Sequence, residues 1–103
     1  MNDELKSLVA DAAKLLGLEL IWDGVCPPYF QTEIGLIMFN PLDPERGDLM
    51  KVAMAAKLIV GGCLVSAEDF HSIKYSYPRG DYDSLALAVL RAASAVLKAR
   101  EGE

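Results

Sequence analysis

Near the start of the chain, apolar residues recur at Leu5, Leu8, Val9, Ala12, Leu15 and Leu16, the spacing of one buried helical stripe, with Lys6, Asp11 and Lys14 outside it. Asn2 or Asp3 supplies the N-cap and Gly17 a left-handed stop. Residues 18–22 are a short apolar run, predicting a strand that ends at the turn signal Asp23-Gly24. Val25-Cys26-Pro27-Pro28 then connects irregularly, because each proline lacks an N–H. Residues 29–39 predict a second strand, strongest from Ile34 to Phe39, where both alternating faces are apolar. Such a strand belongs under cover on both sides.

In Asn40-Pro41-Leu42-Asp43-Pro44, the first proline breaks the strand and Asp43-Pro44 offers an N-cap and a first helical position, with Gly47-Asp48 a rival start. The helix that follows carries Leu49, Met50, Val52, Ala53, Met54, Ala56 and Leu58, with Lys51 and Lys57 at its polar edge. Residues 59–66 predict a third strand in which Gly61-Gly62 marks a bulge or close backbone approach. Residues 70–77 predict a fourth, half-exposed strand, since Ile73, Tyr75 and Tyr77 share one face and Ser72, Lys74 and Ser76 the other. Pro78-Arg79-Gly80 is a turn, and Asp81 caps a closing helix that reaches about Arg100. On that helix Arg91, Ser94, Lys98 and Glu101 fall on one narrow stripe, and six alanines between Ala86 and Ala99 leave room for close packing. The expected order is helix-strand-strand-helix-strand-strand-helix. It corresponds to an α+β fold with helices on both faces of a small, mostly antiparallel sheet, an α/β/α sandwich.

The length of 103 residues supports one core, so residues 1–103 are expected to form a single domain. No apolar run approaches the roughly 20 residues needed to span a bilayer, and Asp3 and Glu4 stand where a secretory signal would place positive charge. The expectation is a protein with no membrane association, in the cytoplasm of a host cell. The formal charge of −5 is uneven: residues 1–50 carry 9 acids and 3 bases, residues 51–103 carry 6 acids and 7 bases. Lysine and arginine nowhere cluster as phosphate binding requires, which argues against direct contact with nucleic acid.

Candidate chemistry is sparse. Cys26 and Cys63 read as reduced thiols, Cys63 as a small hydrophobe inside an apolar run and Cys26 as the more reactive of the two. With His71, the only histidine, they fit no standard zinc spacing. A cysteine nucleophile served by His71 is the best enzymatic constellation on offer, and no supporting motif accompanies it. Gly61-Gly62 lacks the Lys, Ser or Thr of a phosphate loop. No catalytic residue, metal or cofactor is therefore assigned. The residue types enriched at binding hot spots are better represented: Trp22, Tyr29, Phe30, Tyr75, Tyr77, Arg79 and Tyr82 form the candidate interaction patch.

The opening amphipathic helix, the Trp22-Asp23-Gly24 turn, and the phrase Phe39-Asn40-Pro41-Leu42-Asp43 leading through Gly47-Asp48 into Leu49-Met50-Lys51-Val52-Ala53 carry a further signal. Together with the alanine-rich closing helix they resemble the phage ABA sandwich family, small proteins encoded by bacteriophages and prophages. The resemblance covers nearly the whole chain and implies helices on both sides of a sheet, with no activity to carry over. The functional expectation is a non-enzymatic phage accessory protein that binds a host or phage protein, for example a defence or regulatory factor, through a surface near residues 22–30. Since the front half is acidic, that partner should be basic at the contact. Two alternatives come from other classes: a domain that sequesters a small molecule or nucleotide beside residues 26–30 or Gly61-Gly62, and a structural homodimer built on the strand at 70–77 or the closing helix.

Overall fold

A computed structural model describes residues 2–22 and 27–102 of the chain. The expected turn at Asp23-Gly24 and the expected reactive loop at Cys26 lie outside those residues. The element order is α1 (Asp3–Leu15), β1 (Tyr29–Thr32), β2 (Gly35–Met38), α2 (Asp48–Ala55), β3 (Leu58–Gly61), β4 (Leu64–Ala67), β5 (Lys74–Ser76) and α3 (Tyr82–Glu101). This is the expected α+β class, three helices and antiparallel strands with helices packed against a sheet. The strands divide into a two-stranded sheet, β1-β2, and a three-stranded sheet in the order β3-β4-β5.

The helices begin where side chains can satisfy their first N–H groups. Asn2 Oδ1 accepts from Leu5 N at 2.7 Å at the head of α1. Asp81 accepts from both the backbone N–H and the hydroxyl of Ser84 at the head of α3. Helix α2 starts at the rival position. Gly47, left-handed at φ +74, turns the chain and leaves Asp48 as the first helical residue. Asp43 instead accepts from Glu45 N at 2.9 Å, closing a local turn, so the expected cap and Pro44 shape a loop rather than the helix.

Three expected strands are revised. Residues 29–39 are a hairpin, because Thr32 Oγ1 donates to Gly35 O at 2.9 Å and folds the chain back over Glu33-Ile34. Ile34 is 90% exposed at its tip and Leu36 59%, so the strand expected under cover on both sides is not a central one. Residues 59–66 are also a hairpin. Gly62 and Cys63 both have positive φ, +58 and +63, between the paired Gly61 and Leu64. That is a two-residue turn of the mirror-image type that matches strand twist, in place of the expected bulge. Residues 18–22 contribute one bridge, Ile21 to Tyr29, rather than a strand.

The core is built on α3. Its Ala86, Leu90, Ala92, Ala93 and Val96 are fully buried, as are Val9 and Ala12 of α1, Val52 of α2 and Val65 of β4. Small residues on α1 and α3 let the two helices lie close. Their polar positions meet along the same seam: Arg91 bonds Glu4 at 2.9 Å, Ser94 bonds Asp11 at 2.6 Å, and Lys14 pairs with Glu101 at 3.9 Å. The stripe read on the closing helix thus faces α1, and the ascending order of partners shows that the two helices run in the same direction. On the three-stranded sheet, cross-strand register puts Val60, Val65 and Tyr75 on the face toward α3, with Ile59, Ser66 and Lys74 on the reverse. The reverse face is open, with Ile59 58% exposed, so the described helices gather on one side of this sheet.

Candidate interaction surface

Two regions present apolar side chains to solvent. The first is the β1-β2 arm. Its ladder extends past the named strands, with Ile21 and Tyr29 exchanging hydrogen bonds of 2.7 and 3.1 Å and Phe39 N donating to Pro28 O at 2.9 Å. Phe30 packs against the core, and Pro28, Phe39 and Pro41 at the root are fully buried. Antiparallel register sends Tyr29 and Met38, with Gln31 and Leu36, to the opposite face. Ile21 and Trp22 beside the root, and Ile34 and Leu36 toward the tip, are all exposed.

The root is held by a polar node. Asp48, 6% exposed, accepts on Oδ2 from Asn40 N at 2.9 Å and from Arg46 Nε at 3.0 Å, while the Arg46 guanidinium also reaches the Met38 carbonyl. Asn40 Oδ1 accepts from Leu42 N at 3.3 Å. Tyr82 donates its hydroxyl to Pro41 O at 3.1 Å, linking the root to α3. Burial holds the Tyr82 phenol above its ordinary range, helped by the charges of Asp43, Asp48 and Asp83. The phrase that carried the family resemblance is thus the joint between arm and helices, with its polar groups turned inward to one another.

The second region is a groove of about 240 Å³ between α2, β3 and α3, walled by Leu49, Met50, Met54, Leu58, Val60 and Leu85. Met50 and Met54 are 64% and 71% exposed although they lie four apart on one helix face.

The sequence-derived patch is divided by the fold. Trp22 and Tyr29 lie on the arm, and Phe30 turns inward from it. Tyr75 lies beside Arg91 and Ser94 of α3, Tyr77 N donates to Cys63 O at 3.0 Å, and Tyr82 is tied to Pro41. Tyr75, Tyr77 and Tyr82 are partly buried against the core, and Arg79 is exposed in its turn. The exposed side chains that residue-type reasoning missed are aliphatic: Ile21, Ile34, Leu36, Met50, Met54 and Ile59. The polar pair Thr32-Glu33 before Gly35 was the available signal for the arm's tip.

Other chemistry has little geometric support. Cys63 sits in the β3-β4 turn and is partly exposed, rather than buried in a strand. His71 lies beyond the far end of β4, whose four residues span about 13 Å, so the two cannot act as nucleophile and base together. Among the described residues no group of three His, Cys, Asp or Glu side chains is arranged to hold a metal. An open trough of about 390 Å³ runs between residues 17–21 and β1, meeting the expected ligand loop at residues 26–30 only at Phe30. Its one charged lining residue is Glu19, which suits an anionic nucleotide poorly. A Cβ added at Gly61 or Gly62 would meet no atom within 4 Å.

The arm lies in a stretch without cations. No Lys or Arg occurs between Lys14 and Arg46, whereas Glu19, Asp23, Glu33, Asp43 and Glu45 fall within it. No family model, no curated protein and no solved structure matches this chain.

Proposed function

We propose that this chain is a non-enzymatic protein-binding module, and that the β1-β2 arm is its recognition element. The observation that carries this reading is the arm itself, anchored at its root by Asp48, Arg46 and Tyr82 and presenting Ile34 and Leu36 to solvent in a stretch free of cations. Rigid anchorage lowers the ordering cost of binding, and exposed aliphatic residues supply the apolar core of an interface. The partner is a protein with an apolar groove rimmed by Lys or Arg, since acidic flanks attract basic surfaces and steer their approach. The resemblance to the phage ABA sandwich family supports a phage or prophage accessory role inside the host cell, directed at a host defence or regulatory protein.

The test is a capture from host lysate followed by titration of the identified partner against the wild type, Ile34→Asp and Leu36→Asp. A hot-spot role for Ile34 means a loss of about 2 kcal/mol, roughly 30-fold in affinity. The association rate should also fall as salt rises. A captured partner whose affinity is unchanged by both substitutions and by salt refutes the role given to the arm.

A further inference from the structure

The three-stranded sheet has two edges, and they are protected unequally. β5 is three residues long and carries the exposed Lys74, both of which discourage pairing with another chain. β3, the other edge, reads Leu58-Ile59-Val60-Gly61 and has no charge and no proline, with Ile59, Val60 and Gly61 exposed. The β3-β4 register fixes which of its backbone groups are free. The two-residue turn closes on the pair Gly61 and Leu64, and Glu68 N donates to Lys57 O at 2.9 Å, so Lys57, Ile59 and Gly61 bond inward to β4. The N–H and C=O groups of Leu58 and Val60 therefore point out from the open edge.

We propose that β3 pairs with β3 of a second copy, antiparallel about a two-fold axis through Ile59, to make a six-stranded sheet. In this register Leu58 of each copy faces Val60 of the other in two hydrogen-bonded pairs, using all four outward groups. Ile59 meets its own counterpart on the outer face, at the close Cα spacing of a non-hydrogen-bonded pair. On the helix-side face, Leu58 and Val60 of both copies are covered by Met50 and Met54, which line the same groove. Charge favours self-pairing as well: Lys57 falls opposite Gly61 of the other copy, so the one charged residue bordering the strand meets no like charge. The exposed surface of Met50, Met54, Ile59 and Val60 on two copies amounts to roughly 900 Å², below the about 1,200 Å² at which stable specific interfaces begin, so the dimer is a weak one held largely by its strand hydrogen bonds.

Analytical ultracentrifugation of the full chain tests this. The wild type should show a concentration-dependent dimer. Ile59→Lys, which sets two charges against each other on the axis, and Val60→Pro, which deletes an outward N–H without touching the bonds to β4, should both be monomers with the wild-type circular dichroism spectrum. In a chain with Cys26 and Cys63 replaced by Ser, Ile59→Cys should cross-link to itself on oxidation, whereas Leu64→Cys, one strand further in on the same face, should not. A strict monomer at about 1 mM, a dimer indifferent to Ile59→Lys, or an open-ended assembly overturns the proposal. The arm is a separate surface, so Ile34→Asp should leave the dimer intact, and failure of one reading leaves the other standing.

Discussion

Replacing Asp48 by Ala removes the acceptor at the centre of the joint between arm and helices. Two hydrogen bonds end on its Oδ2, from Asn40 N and Arg46 Nε, at 2.9 and 3.0 Å. Bonds to a charged group contribute about 1.5–3 kcal/mol each, and a buried N–H left without a partner costs about 1–3 kcal/mol. The Arg46 side chain keeps 30% of its surface in water and can be rehydrated, so its share belongs at the low end, whereas Asn40 N is partly buried and depends on this carboxylate. Asp48 also lies at the positive end of α2, worth about 0.3–1 kcal/mol. The expected cost is about 3 kcal/mol, a lowering of Tm by about 12 °C or more. Asp48→Asn retains an acceptor for Asn40 N while losing the charge, and should cost about half as much. Urea denaturation followed by circular dichroism, extrapolated linearly, measures each value, and the Arg46→Ala/Asp48→Ala cycle should show a coupling of about 1 kcal/mol. If Asp48→Ala falls within about 0.5 kcal/mol of the wild type, as an ordinary surface substitution would, the node does not hold the arm.

Other substitutions probe separate parts of the fold. Ser94→Ala, which leaves Asp11 without its 2.6 Å donor in the α1-α3 seam, should cost about 1 kcal/mol, and Arg91→Ala less than about 0.5 kcal/mol because the Arg91-Glu4 pair is exposed; chemical denaturation ranks the two. Ala93→Leu forces a larger side chain into a fully buried position and should cost about 1–3 kcal/mol by the same assay. Cys63→Gly should stabilise, since relief of about 1–2 kcal/mol of left-handed strain exceeds the about 0.5–1 kcal/mol of added chain entropy, and thermal melts should show Cys63→Val moving the other way. The Tyr82 phenol is raised by burial, so the native state holds its proton longer than the unfolded chain does. That part of the stability is intact below pH about 10 and is lost as pH rises from there through the native value. Alkaline melts of Tyr82→Phe should lose that slope.

Asp81 follows the opposite sign. Its hydrogen bonds from the Ser84 side chain and backbone lower its pKa, so its contribution is present above the ordinary carboxylate range and disappears as pH falls through the native value. This cap was legible in sequence because it depends on residues three apart on one helix. The same is true of Asn2, of the amphipathic stripe of α1, and of the alanines that permit close packing of α3. Contacts of that range depend on local spacing, which a sequence displays directly.

What local spacing could not decide was where an apolar run turns back on itself. A two-residue turn occupies so little sequence that residues 29–39 and 59–66 each read as one strand, while Thr32 Oγ1 in one and paired positive φ values at Gly62 and Cys63 in the other make them hairpins. Nor could it show what the polar stripe of the last helix faces. Spacing places Arg91, Ser94 and Glu101 on one stripe, and only the packing of α1 sets Glu4, Asp11 and Lys14 beside them. Residue type pointed to aromatics as the exposed chemistry, yet burial drew Phe30, Tyr75, Tyr77 and Tyr82 against the core and left Ile34, Met50, Met54 and Ile59 outside. The three helices, the caps at Asn2 and Asp81 and the α+β class are legible along the chain, because they rest on interactions within a few residues. Which apolar side chains remain uncovered is settled by packing between distant elements, and on this chain those uncovered side chains are its candidate means of recognition.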